Sequence, residues 1–273
     1  MITKREIVWA YRMFLGREPE NEDIIKKHLR QFKTKTINDF RDFCMSSQEF
    51  IGYFSLINKV SGITGNQSKS DELYISLGSH CYTSHLLKIL NKKEFSCPFD
   101  WLFSSPEMVI HCLETNFSFL TNPQFYAPVA KENRMYEKAN LCQHTFYRDH
   151  YGVNFVFNHH NPTDIIDYHY LLRCVKRFQD LNNTQRIKKY IMTTRQCSDE
   201  NFEHLENLLC SDKPNTRFLC IEIKDDSNDI GWHCKKTKNQ SQLVEYNSFS
   251  KWGSLAFEES FDDNAIAKII TCI

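Results

Sequence analysis

Residues 73–90 constrain the fold more than any other stretch. The apolar run Leu73-Tyr74-Ile75-Ser76-Leu77 leads into Gly78-Ser79-His80-Cys81, after which leucines recur at Leu86, Leu87 and Leu90. A short apolar run before a glycine predicts a buried strand, and leucines three and four apart predict one face of a helix. Gly78 permits the sharp turn between them. Ser79 is placed to cap the helix, which puts Cys81 in its first turn beside amides that lack intrahelical partners. The helix dipole favours an anion there, so the thiol pKa is expected to fall below its free value of about 8.5. The same amides, around Gly78 and Ser79, could hold the oxyanion of an acyl-transfer intermediate. Packing is the alternative, because free cysteine is among the most buried residue types.

Further along, Val153-Asn154-Phe155-Val156-Phe157, Lys189 to Thr194 and Arg217 to Ile223 read as strands, with a last extended run at Leu243 to Tyr246. Helical patterns separate them at Pro106 to Phe119, Thr163 to Leu181 and Asp199 to Leu209. Such alternation predicts βαβ units and a parallel sheet. The expected fold is a three-layer, doubly wound α/β domain over residues 72–273. Residues 122–151, polar and aromatic with little periodicity, are expected to be irregular and to cover the site.

Ahead of this domain, Ile7, Ala10, Tyr11 and Phe14 share a helix face that Gly16 ends; a second pattern runs through Ile24, Ile25 and Leu29, and Phe40, Phe43 and Phe50 suggest a third. A small all-α domain is therefore expected over residues 1–60. Residues 61–71, with Gly62, Gly65, Asn66 and several serines, have linker composition.

With 34 basic and 34 acidic residues among 273, the chain has no net field to favour nucleic acid. No apolar stretch is long enough to span a bilayer and the N-terminus lacks a signal-peptide pattern, so a cytoplasmic location is expected. Eleven cysteines without a C-x-x-C pair argue against a disulfide framework and a zinc ribbon. His159, His160, Asp164, Asp167 and His169 form the densest metal-capable group, but it lacks the H-E-x-x-H spacing, and no metal is expected.

Gly78-Ser79-His80-Cys81, followed by Cys97-Pro98-Phe99-Asp100-Trp101-Leu102-Phe103, resembles the bacterial family catalogued as papain-like cysteine peptidases, with its pattern G-S-x-C, P-F-D-W and a histidine after a strand. The resemblance covers about residues 71–273. It implies Cys81 as nucleophile and His159 as base, with His160 the alternative in the doublet. Asp100 could orient the histidine as third member of a triad, or instead cap a helix or pair with an arginine. Ser79 and Gly78 would support the oxyanion, and Trp101 would line the substrate. A papain fold pairs a helical lobe with an antiparallel one, whereas the periodicity here predicts a parallel sheet. A strand-turn-helix nucleophile on such a sheet is also similar to coenzyme-A-binding acetyltransferases of capsule synthesis. Separately, Leu15-Gly16-Arg17, Pro19 and Ser46-Ser47-Gln48-Glu49-Phe50 are similar to a small helical module of envelope-polysaccharide and surface-layer proteins, which implies protein docking.

Two functions follow as expectations. One is an enzyme forming a thioester on Cys81, either a hydrolase or an acyltransferase of envelope glycans. In the latter case Arg177 and Arg195 would bind a phosphate-bearing donor such as coenzyme A, and no other cofactor would be required. The other is a non-catalytic glycan- or nucleotide-binding module with an inert cysteine.

Overall fold

A computed structural model describes residues 2–15, 18–47, 50, 71–134, 137–211, 213–225, 230–253 and 255–272. The chain divides into two compact units, residues 1–69 and 70–273.

The first unit is helical. Helix α1 (Lys4–Ala10) is capped by Thr3 and Glu6, which satisfy each other's backbone amides, and continues into a π-helical turn at Tyr11–Leu15. Helices α2 (Glu22–Gln31) and α3 (Ile37–Met45) start on Asn21 and Thr36 caps. Their apolar faces meet in an aromatic cluster in which the Tyr11 hydroxyl lies 2.9 Å from His28 Nε2, and Phe32 and Phe40 pack edge to face at 4.9 Å. Gly16, Arg17, Gln48, Glu49 and nearly all of the linker lie outside the described residues.

The second unit is built on a five-stranded sheet. Strands β1 (Glu72–Ser76), β4 (Ile187–Thr194), β5 (Thr216–Lys224) and β7 (Ser241–Asn247) run parallel, and β6 (Gly231–Lys238) lies antiparallel at the edge, in the order β1-β4-β5-β7-β6. The central strands are apolar on both faces because both are covered, as parallel sheets require. One face carries Leu73, Ile75, Tyr190, Met192, Phe218, Cys220 and Leu243 into the main core. Helices α5 (Pro106–Glu114), α7 (Ile165–Asp180) and α8 (Asp199–Cys210) supply Val109, Phe178 and Phe202 to that core. The intervening Ile191, Leu219, Ile221, Val244 and Tyr246 are buried too. On that side stand helix α4 (Cys81–Ile89) and helix α9 (Ser260–Thr271), whose Asp262 accepts the Tyr246 hydroxyl at 2.6 Å. The fold is thus three-layer α/β with a mostly parallel sheet.

Residues 153–157 are not a strand of this sheet. Phe155 has φ +52°, a left-handed conformation that no regular strand accepts, and Phe157 makes only an isolated bridge to Cys142. Val153, Val156 and Phe157 are apolar because they pack into the main core as a loop. Nor is 122–151 irregular throughout: β2 (Tyr126–Pro128) and β3 (Cys142–His144) form an antiparallel pair, and helix α6 (Thr145–Tyr151) ends on Gly152 at φ +66°. Strand β6 and helix α9 add elements that the periodicity reading did not contain.

Candidate active site

The β1-to-α4 turn is held by the neighbouring strand. The Leu77 amide donates to the Ile191 carbonyl at 2.8 Å, Ser79 N to Thr193 O at 3.0 Å, and Thr193 N to Gly78 O at 3.2 Å, so the ladder runs past the end of β1. Thr83 of α4 donates its hydroxyl to Gly78 O at 2.9 Å and meets the Thr193 hydroxyl at 2.7 Å. Gly78 sits at φ +91°, and a Cβ there would lie 2.3 Å from Ser104 Oγ. Glycine is needed for both backbone angle and space.

His80, not Ser79, is the helix cap. Its Nδ1 accepts from the Tyr82 amide at 3.2 Å, while the Ser79 hydroxyl donates to Thr193 O at 3.0 Å. Burial, then the nearby Arg195, lowers the His80 pKa to about 4, which keeps the accepting nitrogen unprotonated at neutral pH. Trp252 packs on His80 at a tilt of 45°, with ring centroids 4.3 Å apart. Because the amides of Gly78 and Ser79 are taken by Ser76 Oγ (3.3 Å) and Thr193 O, neither serves an oxyanion.

Cys81 is the first residue of α4 and is 3% exposed. Burial pushes its thiol up to about 11, opposed by hydrogen bonds from its own backbone amide and from the Asn158 side chain, with the Asp100 carboxylate adding a smaller upward push. The expected low pKa is not found: desolvation outweighs the helix N-terminus when water is excluded from the sulfur. The thiol is neutral at rest.

Asp100 does not reach either histidine of the doublet. It is fully buried in the Pro98–Asp100 turn, where Oδ2 accepts from the Cys97 amide at 2.6 Å and pairs with Lys93, whose ammonium also donates to Ser84 Oγ at 2.8 Å. Burial raises its pKa, and Oδ1 has no hydrogen-bond partner among the described residues. A carboxylate this deep needs its cation, since losing one partner of a buried pair typically costs about 3–5 kcal/mol. The expectation of a structural turn residue fits this arrangement, with a lysine in place of an arginine.

The 156–160 segment reaches the Cys81 turn through a two-residue stitch: Phe103 N donates to Val156 O at 3.0 Å and Ser104 N to Ser79 O at 2.7 Å. Asn158, which sequence reasoning passed over, stands at the junction. Its Oδ1 accepts from Asn140 N at 2.8 Å, and its Nδ2 lies 3.0 Å from His159 Nε2. Only its place directly before the histidine doublet pointed to it. His159 is exposed, with Asn158 as its hydrogen-bond neighbour. His160 is half-buried: Nδ1 lies 3.3 Å from Asp167 Oδ1, and Asp167 Oδ2 accepts from Asn161 N at 2.7 Å. Its ring packs on Tyr170 at 4.8 Å. With Trp101, Cys97 and Pro98 it lines a small pocket of about 20 Å³. Asp167, not Asp100, is the carboxylate that stands beside a histidine of the doublet, and it was visible in the sequence early in the helix that follows the doublet.

The arginines do not form a phosphate clamp. Arg195 lies over Trp252 at 4.8 Å, pairs with Asp225 and donates to Trp252 O at 2.9 Å. Arg177 donates to Ser96 O at 3.4 Å and stands on helix α7, whereas Arg195 lies in the bend after β4. A cleft of about 410 Å³ opens at the carboxyl ends of β1 and β4, where sites of parallel sheets form. Arg195 lines it; Arg177 does not. Among the described residues no three histidine, cysteine or acidic side chains come together as metal ligands, and no helix is long and apolar enough to cross a membrane. All eleven cysteines are free, eight of them buried.

No curated protein and no solved structure matches the chain. Residues 72–218, more than half of the 273, match the family described as "Putative papain-like cysteine peptidase (DUF1796)", a description that suggests a cysteine-nucleophile hydrolase. The match opens at β1 and takes in the Cys81 turn, the Pro98–Trp101 turn and the histidine doublet, and it is to this family that the chain belongs.

Proposed function

We propose that the protein is a hydrolase that works through a thioester on Cys81, with His160 as general base and Asp167 as the group that orients it. The observation that carries the reading is the stitch between the histidine segment and the Cys81 turn: Phe103 N donates to Val156 O at 3.0 Å and Ser104 N to Ser79 O at 2.7 Å, and Asn158, two residues beyond Val156, lies 3.0 Å from His159 and favours the charged form of the Cys81 thiol. His160 takes the role first given to His159 because it alone of the two has a carboxylate partner, the arrangement that fixes an imidazole's tautomer and stabilises its protonated form.

The thiol is neutral at rest, so proton removal accompanies attack. His160 takes the proton as sulfur bonds to the carbonyl carbon, and the charge that develops on the carbonyl oxygen falls to the Cys81 amide and the Asn158 Nδ2. The leaving group departs with the proton from His160. Water, deprotonated by His160, then attacks the thioester, releasing the acid and restoring the thiol. Transfer to a hydroxyl instead of water is the second reading, favoured by the polar cleft beside Ser79. Coenzyme A is not assigned as donor, because neither Arg195 nor Arg177 is free and convergent enough to clamp its phosphates.

Steady-state hydrolysis of p-nitrophenyl acetate tests the assignment. His160→Gln is expected to lower kcat/KM by about 10²–10⁴, while His159→Gln stays within about tenfold. The reverse ranking would move the base to His159, and hydrolysis unchanged in Cys81→Ala would remove the cysteine reading altogether.

A further inference from the structure

The cleft of about 410 Å³ lies within the range of about 300–1,000 Å³ usual for small-molecule sites. Its walls are the ends of β1 and β4 and the first turns of α5 and α8. What their side chains offer is polar, with one carboxylate that no ion pair neutralises among the described residues. Arg195, the one cation among the lining residues, is matched by Asp225, and Glu107 is the one carboxylate. A phosphate or carboxylate ligand would meet no spare positive charge, and Pro106 is the only apolar side chain present to receive an acyl or peptide side chain.

The unused hydrogen-bonding capacity is mixed. Ser105 Oγ accepts from Met108 N at 3.2 Å and Ser198 Oγ from Asn201 N at 3.1 Å, so each hydroxyl keeps its own hydrogen to donate. The Ser79 hydroxyl gives its hydrogen to Thr193 O and keeps lone pairs to accept. Glu107 Oε1 takes the Asn201 amide at 2.5 Å, leaving Oε2. The exposed Gln196 carboxamide makes no hydrogen bond among the described residues and adds both a donor and an acceptor. Donors and acceptors set around a single carboxylate match groups that both give and take hydrogen bonds, which is the chemistry of vicinal hydroxyls.

We propose that this cleft binds a neutral polyhydroxylated ligand, a sugar ring, as the alcohol part of the substrate; it rests on the Cys81 reading only in treating the sugar as the acyl carrier or acceptor. Ser79 belongs both to the cleft wall and to the turn that leads into Cys81, two residues on, and this shared residue is what ties the cleft to the proposed acyl chemistry. In the hydrolase the ester oxygen would leave as a sugar hydroxyl carrying the proton from His160. In the transferase the same hydroxyl would give its proton to His160 and attack the thioester.

Isothermal titration of the Cys81→Ala chain separates the two ideas, because sugar binding needs no thiol. Titrants are methyl glucoside, methyl N-acetylglucosaminide, inorganic phosphate, acetate and trialanine, at millimolar concentrations. The expected result is saturable binding of at least one glycoside, weakened about tenfold, or 1.4 kcal/mol, by Glu107→Ala and abolished by Gln196→Trp, which fills the exposed wall. Both positions are exposed, and circular dichroism checks that the variants fold. Binding of phosphate, acetate or trialanine in place of the glycosides overturns the proposal, as does glycoside binding that Gln196→Trp leaves unchanged, or no glycoside binding at all. None of these outcomes touches the thioester on Cys81, which is measured separately in the unsubstituted chain.

Discussion

Two parallel strands of the sheet end in a turn that contains a cysteine and leads into a helix, and the two turns use it differently. After β1, His80 caps the helix and Cys81 is its first residue, with a backbone amide and the Asn158 side chain on the sulfur. After β4, Ser198 is the cap and Cys197 precedes it, its sulfur donating to the Ser198 carbonyl at 3.6 Å and packed into the main core with Cys220 of β5. Both cysteines are nearly inaccessible, at 3% and 2% exposure. A two-residue difference in register against the cap, one after it for Cys81 and one before it for Cys197, therefore separates a sulfur at a helix N-terminus from one that fills the core. A strand-end cysteine is no signature of chemistry until its neighbours are known.

The largest expected effect comes from removing what makes the first turn special. Gly78→Ala would place a Cβ against Ser104 Oγ and force φ +91° on an L side chain. Together these predict a loss of about 2–4 kcal/mol in urea unfolding. The β4 turn carries no glycine, so Gln196→Ala, exposed in that turn, should change stability by less than about 0.5 kcal/mol. Equal losses at the two positions would mean that the turns are not built differently.

What the sequence disclosed follows the same line. The strands at 72–76, 187–194 and 216–224 were legible because parallel strands buried on both faces read as unbroken apolar runs. Strand β6, Gly-Trp-His-Cys-Lys-Lys-Thr-Lys, was not, since an edge strand with one face in water has no such run and carries lysines instead. Helix α9 did show Ala265, Ile266, Ile269 and Ile270 at helical spacing, a signal that was there to be used. Residues 153–157 misled because a loop that packs into a core is as apolar as a strand. In the site, the position of Cys81 was readable, whereas its ionisation was not: the dipole is a property of the local helix, while desolvation, and the smaller effects of Asn158 and Asp100, come from packing that only the folded chain brings together. That Asp100 would meet Lys93 and Asp167 would meet His160 was not legible for the same reason, because tertiary contacts set both pairings.

A smaller effect distinguishes the thiols in the free protein. With brief iodoacetamide treatment at pH 7, the exposed Cys234 and Cys272 should be alkylated first, and Cys81 and Cys197 should lag. Raising the pH should accelerate Cys81 progressively until its thiolate dominates near pH 11. The sign for stability follows: a folded-state pKa raised above the free value stabilises fully below about pH 8.5 and is lost as pH climbs through about 11. Peptide mass spectrometry along the pH series would read this directly, and fast alkylation of Cys81 at pH 7 would contradict the buried, neutral thiol.

The central claim is that Cys81, and not another cysteine, becomes acylated. Acid quenching of the protein within its first turnovers on p-nitrophenyl acetate, followed by peptide mass spectrometry, tests it most directly. One acetyl group on the peptide containing Cys81, absent in Cys81→Ala and slowed in His160→Gln, is the predicted result. Acetylation confined to Cys234, Cys272 or lysines, and unaffected by either substitution, would contradict it.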